Sequence, residues 1–267
     1  MEIAPATRMG PVELTVSDLP RSLAYWQGAI GLRVLARENG TASLGADSEV
    51  VRLVEEPGAP PADGHTGLYH LALLVPDRRS LARWLGHAAR ERVPLTGLSD
   101  HYVSEAIYLR DPDHHGIEIY ADRPRELWEG QVGGRMTTEP LDVDDLLAED
   151  DGAFDGLADG TVVGHVHLRV ADVGETVRFY RDVLGLTLMA QLGPAAAFLS
   201  AGGYHHHLGA NTWESRGAAP APPGSARLRR FTIVVPDEEE LARVEARLGG
   251  LFATDPSGNP LSISAAI

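Results

Sequence analysis

Two histidines and one glutamate stand out, because a repeat places them at equivalent points of the chain. An apolar run ending in Asp occurs four times, as PVELTVSD, HLALLVPD, HVHLRVAD and RFTIVVPD, closing on Asp18, Asp77, Asp172 and Asp237. Seven residues before each Asp stand Pro11, His70, His165 and Arg230, so only the two middle copies hold an imidazole there. Copy two adds Glu118 in HHGIEIYAD, where strand alternation puts Ile117 and Ile119 on one face and Glu118 on the other. A carboxylate buried in such a strand is costly unless it is paired or bound to a cation. Copy four carries Ser262 at the matching place, copy three carries the run His205 to His207 in its last strand, and copy one has no histidine there. Copies one and two together supply Pro11, His70 and Glu118, one ligand short. Copies three and four supply His165 and the histidine run but no carboxylate. Copies two and three supply His70, Glu118 and His165 with one of the three histidines beside them. Two imidazoles and a carboxylate with open positions are the donor set of non-haem Fe(II). Copies two and three are therefore expected to build one metal site, with copies one and four as a blank partner half.

Each copy must position these groups with the same elements. After the strand and its Asp comes an amphipathic helix, SDLPRSLAYWQGAIGL in copy one and ADVGETVRFYRDVLGL in copy three. Leu23, Tyr25, Trp26 and Ile30 have helical spacing, as do Val177, Phe179, Tyr180 and Val183. Asp18 and Asp172 are placed as N-caps, with Gly31 and Gly185 as helix stops. Short alternating strands follow every helix. The expected fold class is α+β, four βαβββ-type modules with mixed curved sheets, the last module shortened. Residues 1–122 hold the N-terminal pair of modules (about 10–57 and 67–122), and residues 162–267 the C-terminal pair (about 162–214 and 228–267). Residues 123–161 form an acidic, Gly-rich connection, expected to be solvated over 142–159, with a short helix around Val143 to Leu147. EEPGAPPADG and RGAAPAPPGS mark two further breaks.

Composition narrows the classes of partner. The 267 residues carry a formal charge of −15, and every basic side chain other than histidine is Arg. An acidic chain without a basic stripe is not expected to bind nucleic acid or anionic membrane. Without cysteine there are no disulfides and no thiolate ligands. The N-terminal MEIAPATRMG does not read as a signal peptide, and no run approaches the roughly 20 apolar residues of a membrane span. The expectation is a cytoplasmic protein acting on a small molecule.

The segments HLALLVPD, YLRDPDHHGIEIYADRP, GHVHLRVAD with FYRDVLGL, and SAGGYHHHLGANTW resemble the catechol 2,3-dioxygenase branch of the vicinal oxygen chelate (glyoxalase/bleomycin resistance/extradiol dioxygenase) superfamily. The resemblance covers nearly the whole chain apart from the acidic connection and the shortened end. It implies a 2-His-1-carboxylate centre of His165, His70 and Glu118, holding Fe(II) with Mn(II) as the alternative. It further implies His206 as the catalytic base in the histidine run, Tyr108, ten residues before Glu118, as hydrogen-bond partner of a substrate hydroxyl, and His101 as a further residue behind the site. In the better-known two-domain members the site lies in modules three and four, whereas here module four lacks both ligands. The activity implied is extradiol ring cleavage, inserting both atoms of O2 into a catechol-type diol. His206, with an ordinary imidazole pKa of roughly 6.5, would take the diol proton, and Tyr108 would steady the developing oxyanion. A homo-oligomer is compatible with the exposed sheet edges of this fold.

Two other readings stay open at this stage. One is a metal-dependent isomerase or lyase of the glyoxalase type, which would use a second carboxylate where His206 stands. The other is an aromatic-antibiotic-binding resistance protein, for which retained metal ligands would be unneeded. His205 and His207 read as structural, on the face opposite His206. His114 and His115 read as exposed turn residues, and the four strand-ending Asp residues as caps.

Overall fold

The helix of each module begins where an Asp side chain can accept an otherwise orphaned backbone N–H. Asp18, Asp77, Asp172 and Asp237 accept from Arg21, Ser80, Glu175 and Glu240, so all four are N-caps. The computed structural model describes residues 2–266. In the first module β1 (Arg8–Val16) leads to α1 (Leu19–Tyr25), followed by β2 (Arg33–Glu38), β3 (Thr41–Gly45) and β4 (Glu49–Glu55). The second has β5 (Gly67–Leu74), α2 (Arg78–Glu91), β6 (Gly97–Asp100), β7 (Ser104–Arg110) and β8 (Gly116–Asp122). The connection contains α3 (Val132–Arg135), β9 (Glu139–Pro140) and α4 (Val143–Leu147). The third module has β10 (Val162–Arg169), α5 (Val173–Arg178), β11 (Thr187–Leu192), β12 (Ala196–Ser200) and β13 (Leu208–Asn211). The fourth is one strand short, with β14 (Leu228–Val235), α6 (Glu238–Leu248), β15 (Phe252–Thr254) and β16 (Pro260–Ala265).

α1 and α5 both run on as wide π-turns, Trp26–Ile30 and Phe179–Leu184, before Gly31 and Gly185 end them in the left-handed region at φ 89° and 95°. The wide turn places Trp26, Ile30, Tyr180 and Leu184 inside, while Tyr25 and Val183 are only half-buried.

Modules pair by sheet in the order that the site demands. The nine-stranded sheet runs β11-β12-β13-β10-β5-β8-β7-β6-β9 and so joins modules two and three, while the seven-stranded sheet, β15-β16-β14-β1-β4-β3-β2, joins one and four. In each module the first strand lies parallel to the last. Modules then meet antiparallel, β10 against β5 and β1 against β14. One continuous core of Leu, Ile, Val and Trp side chains underlies both sheets.

The turn DPDHH does not stay in solvent. Asp111 is buried and accepts from Trp26 Nε1 at 3.3 Å, and Asp113 accepts from the Ser17 hydroxyl at 2.5 Å. His115, expected to be exposed, is buried and donates from Nε2 to the Thr15 carbonyl at 2.8 Å, whereas His114 is exposed. This turn fastens module two to module one, where a carbonyl and an indole needed partners.

The connection also departs from a solvated tether. Its helix α4 lies along α2, with Leu146 fully buried beneath it. Arg78 pairs with Asp145 at 2.7 Å and Glu149 at 2.6 Å, Arg90 with Asp150 at 2.9 Å, and Arg83 with Asp151. The acidic run neutralises an arginine-rich helix that its own composition could not reveal.

Candidate metal centre

Register brings the predicted groups together. His165 on β10 faces Ala72 on β5, and Ala72 in turn faces Glu118 on β8. His70, two residues before Ala72, shares its face of the pleat, as Tyr108 on β7 shares that of Glu118, its cross-strand partner. A bulge makes this parity possible. Val163 pairs with Leu73 and His165 with Ala72, so Gly164 is an extra residue that turns His165 onto the same face as His70. Gly164 is needed there, because a Cβ would stand 1.8 Å from the Tyr120 hydroxyl oxygen.

Glu118 Oε2 lies 3.0 Å from His70 Nε2 and 3.1 Å from His165 Nε2, all three side chains buried. The ligand atoms of the three residues all lie within 4.8 Å of one another. His70 Nε2 is sealed from solvent and, despite its closeness to the carboxylate, makes no hydrogen bond. Two imidazole nitrogens and a carboxylate oxygen thus converge on one point, with His165 Nε2 hydrogen-bonded to Glu118 Oε2 and His70 Nε2 left without a partner. That orphaned nitrogen and the hard–borderline donor set fit a divalent first-row metal. Burial would raise the Glu118 pKa, but the adjacent His165 and His70 hold it well below the carboxylate range. Burial lowers His165.

The triad forms the floor of a cavity of about 670 Å³. His206 lines it, its ring 4.0 Å from that of His165, while His205 and His207 turn away from it. Burial, with His165 and His205 next to it, pushes His206 well below the ordinary imidazole value rather than leaving it near neutrality. It therefore presents the neutral form, which is the proton acceptor. Tyr108 also lines the cavity, and its hydroxyl lies 2.7 Å from His101 Nε2. His101 Nδ1 donates to the Thr137 carbonyl at 2.7 Å, so its Nε2 is the acceptor of the Tyr108 proton. Burial, then the Glu118 charge, pushes the Tyr108 phenol well up and keeps it protonated.

Two contributors were not singled out from the sequence. His167 stands two residues after His165 and so on the same face; the His-x-His spacing was its signal. It is buried, its Nε2 lacks a partner, and its ring is 4.8 Å from that of His70. Met136, Thr137 and Thr138 of the connection form one wall, held there as β9 pairs with β6. Phe198, Leu192, Trp213 and Tyr69 complete an apolar side.

Comparison with known proteins decides the family. The profile described as Glyoxalase/Bleomycin resistance protein/Dioxygenase superfamily matches residues 8–119 and 162–250. The chain belongs to that superfamily. Within it, the chain is 43% identical over 250 residues to a protein named catechol-2,3-dioxygenase from Bacillus subtilis (strain 168), covering 91% of this chain and 87% of that one. Solved folds of the superfamily superpose at lower identity. Glyoxalase I from Zea mays matches with a TM-score of 0.60 at 19% identity, covering 97% of this chain and 92% of that one. A Bacillus subtilis protein solved under a provisional dioxygenase name gives 0.66 at 14%, over 99% and 86%. Four modules of the vicinal oxygen chelate type, the last one shortened, are the fold. Among the described residues no helix is long and apolar enough to cross a membrane.

Proposed function

We propose that this protein is an extradiol ring-cleaving dioxygenase that holds Fe(II) with His70, His165 and Glu118 and inserts both atoms of O2 into a catechol-type diol. The observation that carries it is the buried convergence of these three donors on one cavity floor, in a chain 43% identical to a catechol-2,3-dioxygenase. Held by His70, His165 and Glu118, Fe(II) would supply a Lewis acid that acidifies the diol and a redox-active partner for dioxygen. Mn(II) is the alternative occupant of the same donors.

The chain's own residues do the rest. His206, neutral and beside His165, takes the proton of one diol hydroxyl as the diol binds. Tyr108, donating to His101, offers its oxygen lone pairs to the second hydroxyl and orients the ring. Phe198, Leu192 and Trp213 offer the aromatic ring an apolar surface to pack on. A carboxylate base at the position of His206, which a glyoxalase-type isomerase would need, is absent from the three-donor cluster among the described residues.

The test is oxygen uptake with a panel of catechols, using anaerobically iron-loaded protein beside the His165→Ala variant. Uptake with a yellow ring-fission product, abolished in the variant and with bound iron lost, is the expected result. Bound iron without uptake on any catechol would overturn the reading.

A further inference from the structure

The histidine run reaches the surface through a carboxylate. β8 carries Glu118 and, four residues on, Asp122 on the same face of the pleat. Asp122 Oδ1 lies 2.8 Å from Nε2 of His205, whose side chain is fully buried, and His205 Nδ1 lies 2.9 Å from His206 Nδ1. Asp122 itself is 24% exposed. A carboxylate oxygen can only accept, so His205 Nε2 carries a proton. A neutral imidazole has one N–H, which leaves His205 Nδ1 as a lone pair, and the short contact then requires the proton on His206 Nδ1. The opposite nitrogen of His206, Nε2, is left bare on a ring that lines the cavity.

We propose that Asp122 and His205 are positioning residues, a relay that fixes His206 in the tautomer whose basic nitrogen faces the substrate. This deepens the dioxygenase reading and rests on it for the role of His206 as base. When a diol O–H bond breaks and its proton forms a new bond to His206 Nε2, the resulting imidazolium keeps its Nδ1 hydrogen bond to His205, backed by Asp122. The relay crosses from module two to module three, so the base is set by a residue of the strand that carries Glu118. The Tyr204 hydroxyl, 2.8 Å from that of Tyr120, stands beside Asp122.

The tautomer can be read directly. In full-length 15N-labelled protein loaded with diamagnetic Zn(II), His206 is expected to show a protonated Nδ1 and a bare Nε2, its signals assigned with His206→Gln. Asp122→Asn, whose amide can present either its oxygen or its N–H to His205, no longer fixes the direction of the chain, so the proton should divide between His206 Nδ1 and Nε2. With iron, Asp122→Asn should lower kcat about 10²- to 10³-fold with KM unchanged. Asp122→Glu, which keeps the carboxylate, should restore most of it and guards against mere misfolding. Protonated Nε2 in the wild type, as a cationic His205 would produce, overturns the relay. So does an unchanged tautomer or kcat in Asp122→Asn. The predicted tautomers in a protein that cleaves no catechol would leave the relay standing and remove the dioxygenase reading instead.

Discussion

The histidine run lies not in the last strand of module three but in the turn leading into it at Leu208, and His207 shows how one step along that turn changes the work of an imidazole. His206 faces the cavity, whereas the Nδ1 of His207 accepts the backbone N–H of Ala201 at 3.2 Å. Only the neutral ring can do this, and burial above all, with His205 and His165 nearby, pushes its pKa down to about 3. In the unfolded chain the ring titrates near 6.5. Between those values the unfolded state holds a proton that the folded state refuses. The contribution is therefore complete above roughly pH 6.5 and is lost as pH falls toward 3. At pH 5 the loss is about 2 kcal/mol, from roughly 1.4 kcal/mol per unit. Metal-free protein should melt at a lower temperature at pH 5 than at pH 7.5. His207→Gln, whose carbonyl can still accept from Ala201, should flatten that dependence. Equal slopes for wild type and variant would show that His207 is not a source of acid lability.

At the scale of elements, the strand β10 was legible in composition but not in shape. The repeat places His165 at the position equivalent to His70, on one face of its strand. That this face is also the face of His70 depends on the bulge at Gly164, which a lone glycine before a strand does not announce. A methyl group at Gly164 meets the Tyr120 hydroxyl at 1.8 Å and Leu74 Cβ at 2.9 Å. Gly164→Ala should thus cost about 1–3 kcal/mol through overpacking and weaken metal binding by tilting His165. Equilibrium unfolding and Zn(II) titration on the variant measure both, and unchanged metal affinity would mean that the bulge does not set the ligand. The helices were readable because caps and stops are local: an Asp, three residues of helix, and a closing Gly. The connection was not, because Arg78, Arg83 and Arg90, which neutralise its carboxylates, lie about 60–70 residues upstream in another element. His115 escaped for the same reason, since its acceptor, the Thr15 carbonyl, belongs to module one.

Over the whole molecule, the two sheets are the same device with and without ligands. β1 pairs with β14 much as β10 pairs with β5: Met9 with Ile233, then Gly10 and Pro11 where β14 has Thr232 alone, then Val12 with Phe231 and Glu13 with Arg230. The matching pairs in the other sheet are Val163 with Leu73, Val166 with Leu71 and His167 with His70. Thr232 faces Ser262 across parallel strands as Ala72 faces Glu118. Pro11, Arg230 and Ser262 therefore occupy the backbone positions of His165, His70 and Glu118, which is why the repeat could locate the site from four strings of eight residues. What replaced the ligands is an ion-pair face, with Arg230 and Arg229 on Glu13 and the Thr232 hydroxyl on Ser262. If the backbone alone defines the metal geometry, the chain with Pro11→His, Arg230→His and Ser262→Glu should bind two equivalents of Zn(II) where the wild type binds one. Glu13 keeps Arg229 as a partner at 3.0 Å, so no charge is stranded. The second equivalent should bind more weakly, because Arg230 is 36% exposed where the side chains of His70 and His165 are 8% and 3% exposed, and water competes for its ligands. Calorimetric titration reads the stoichiometry, with the triple alanine variant as control. A single equivalent in a folded triple variant would show that shared register is not enough, and that binding at the candidate centre depends on the buried surroundings built by His206, Tyr108 and the connection.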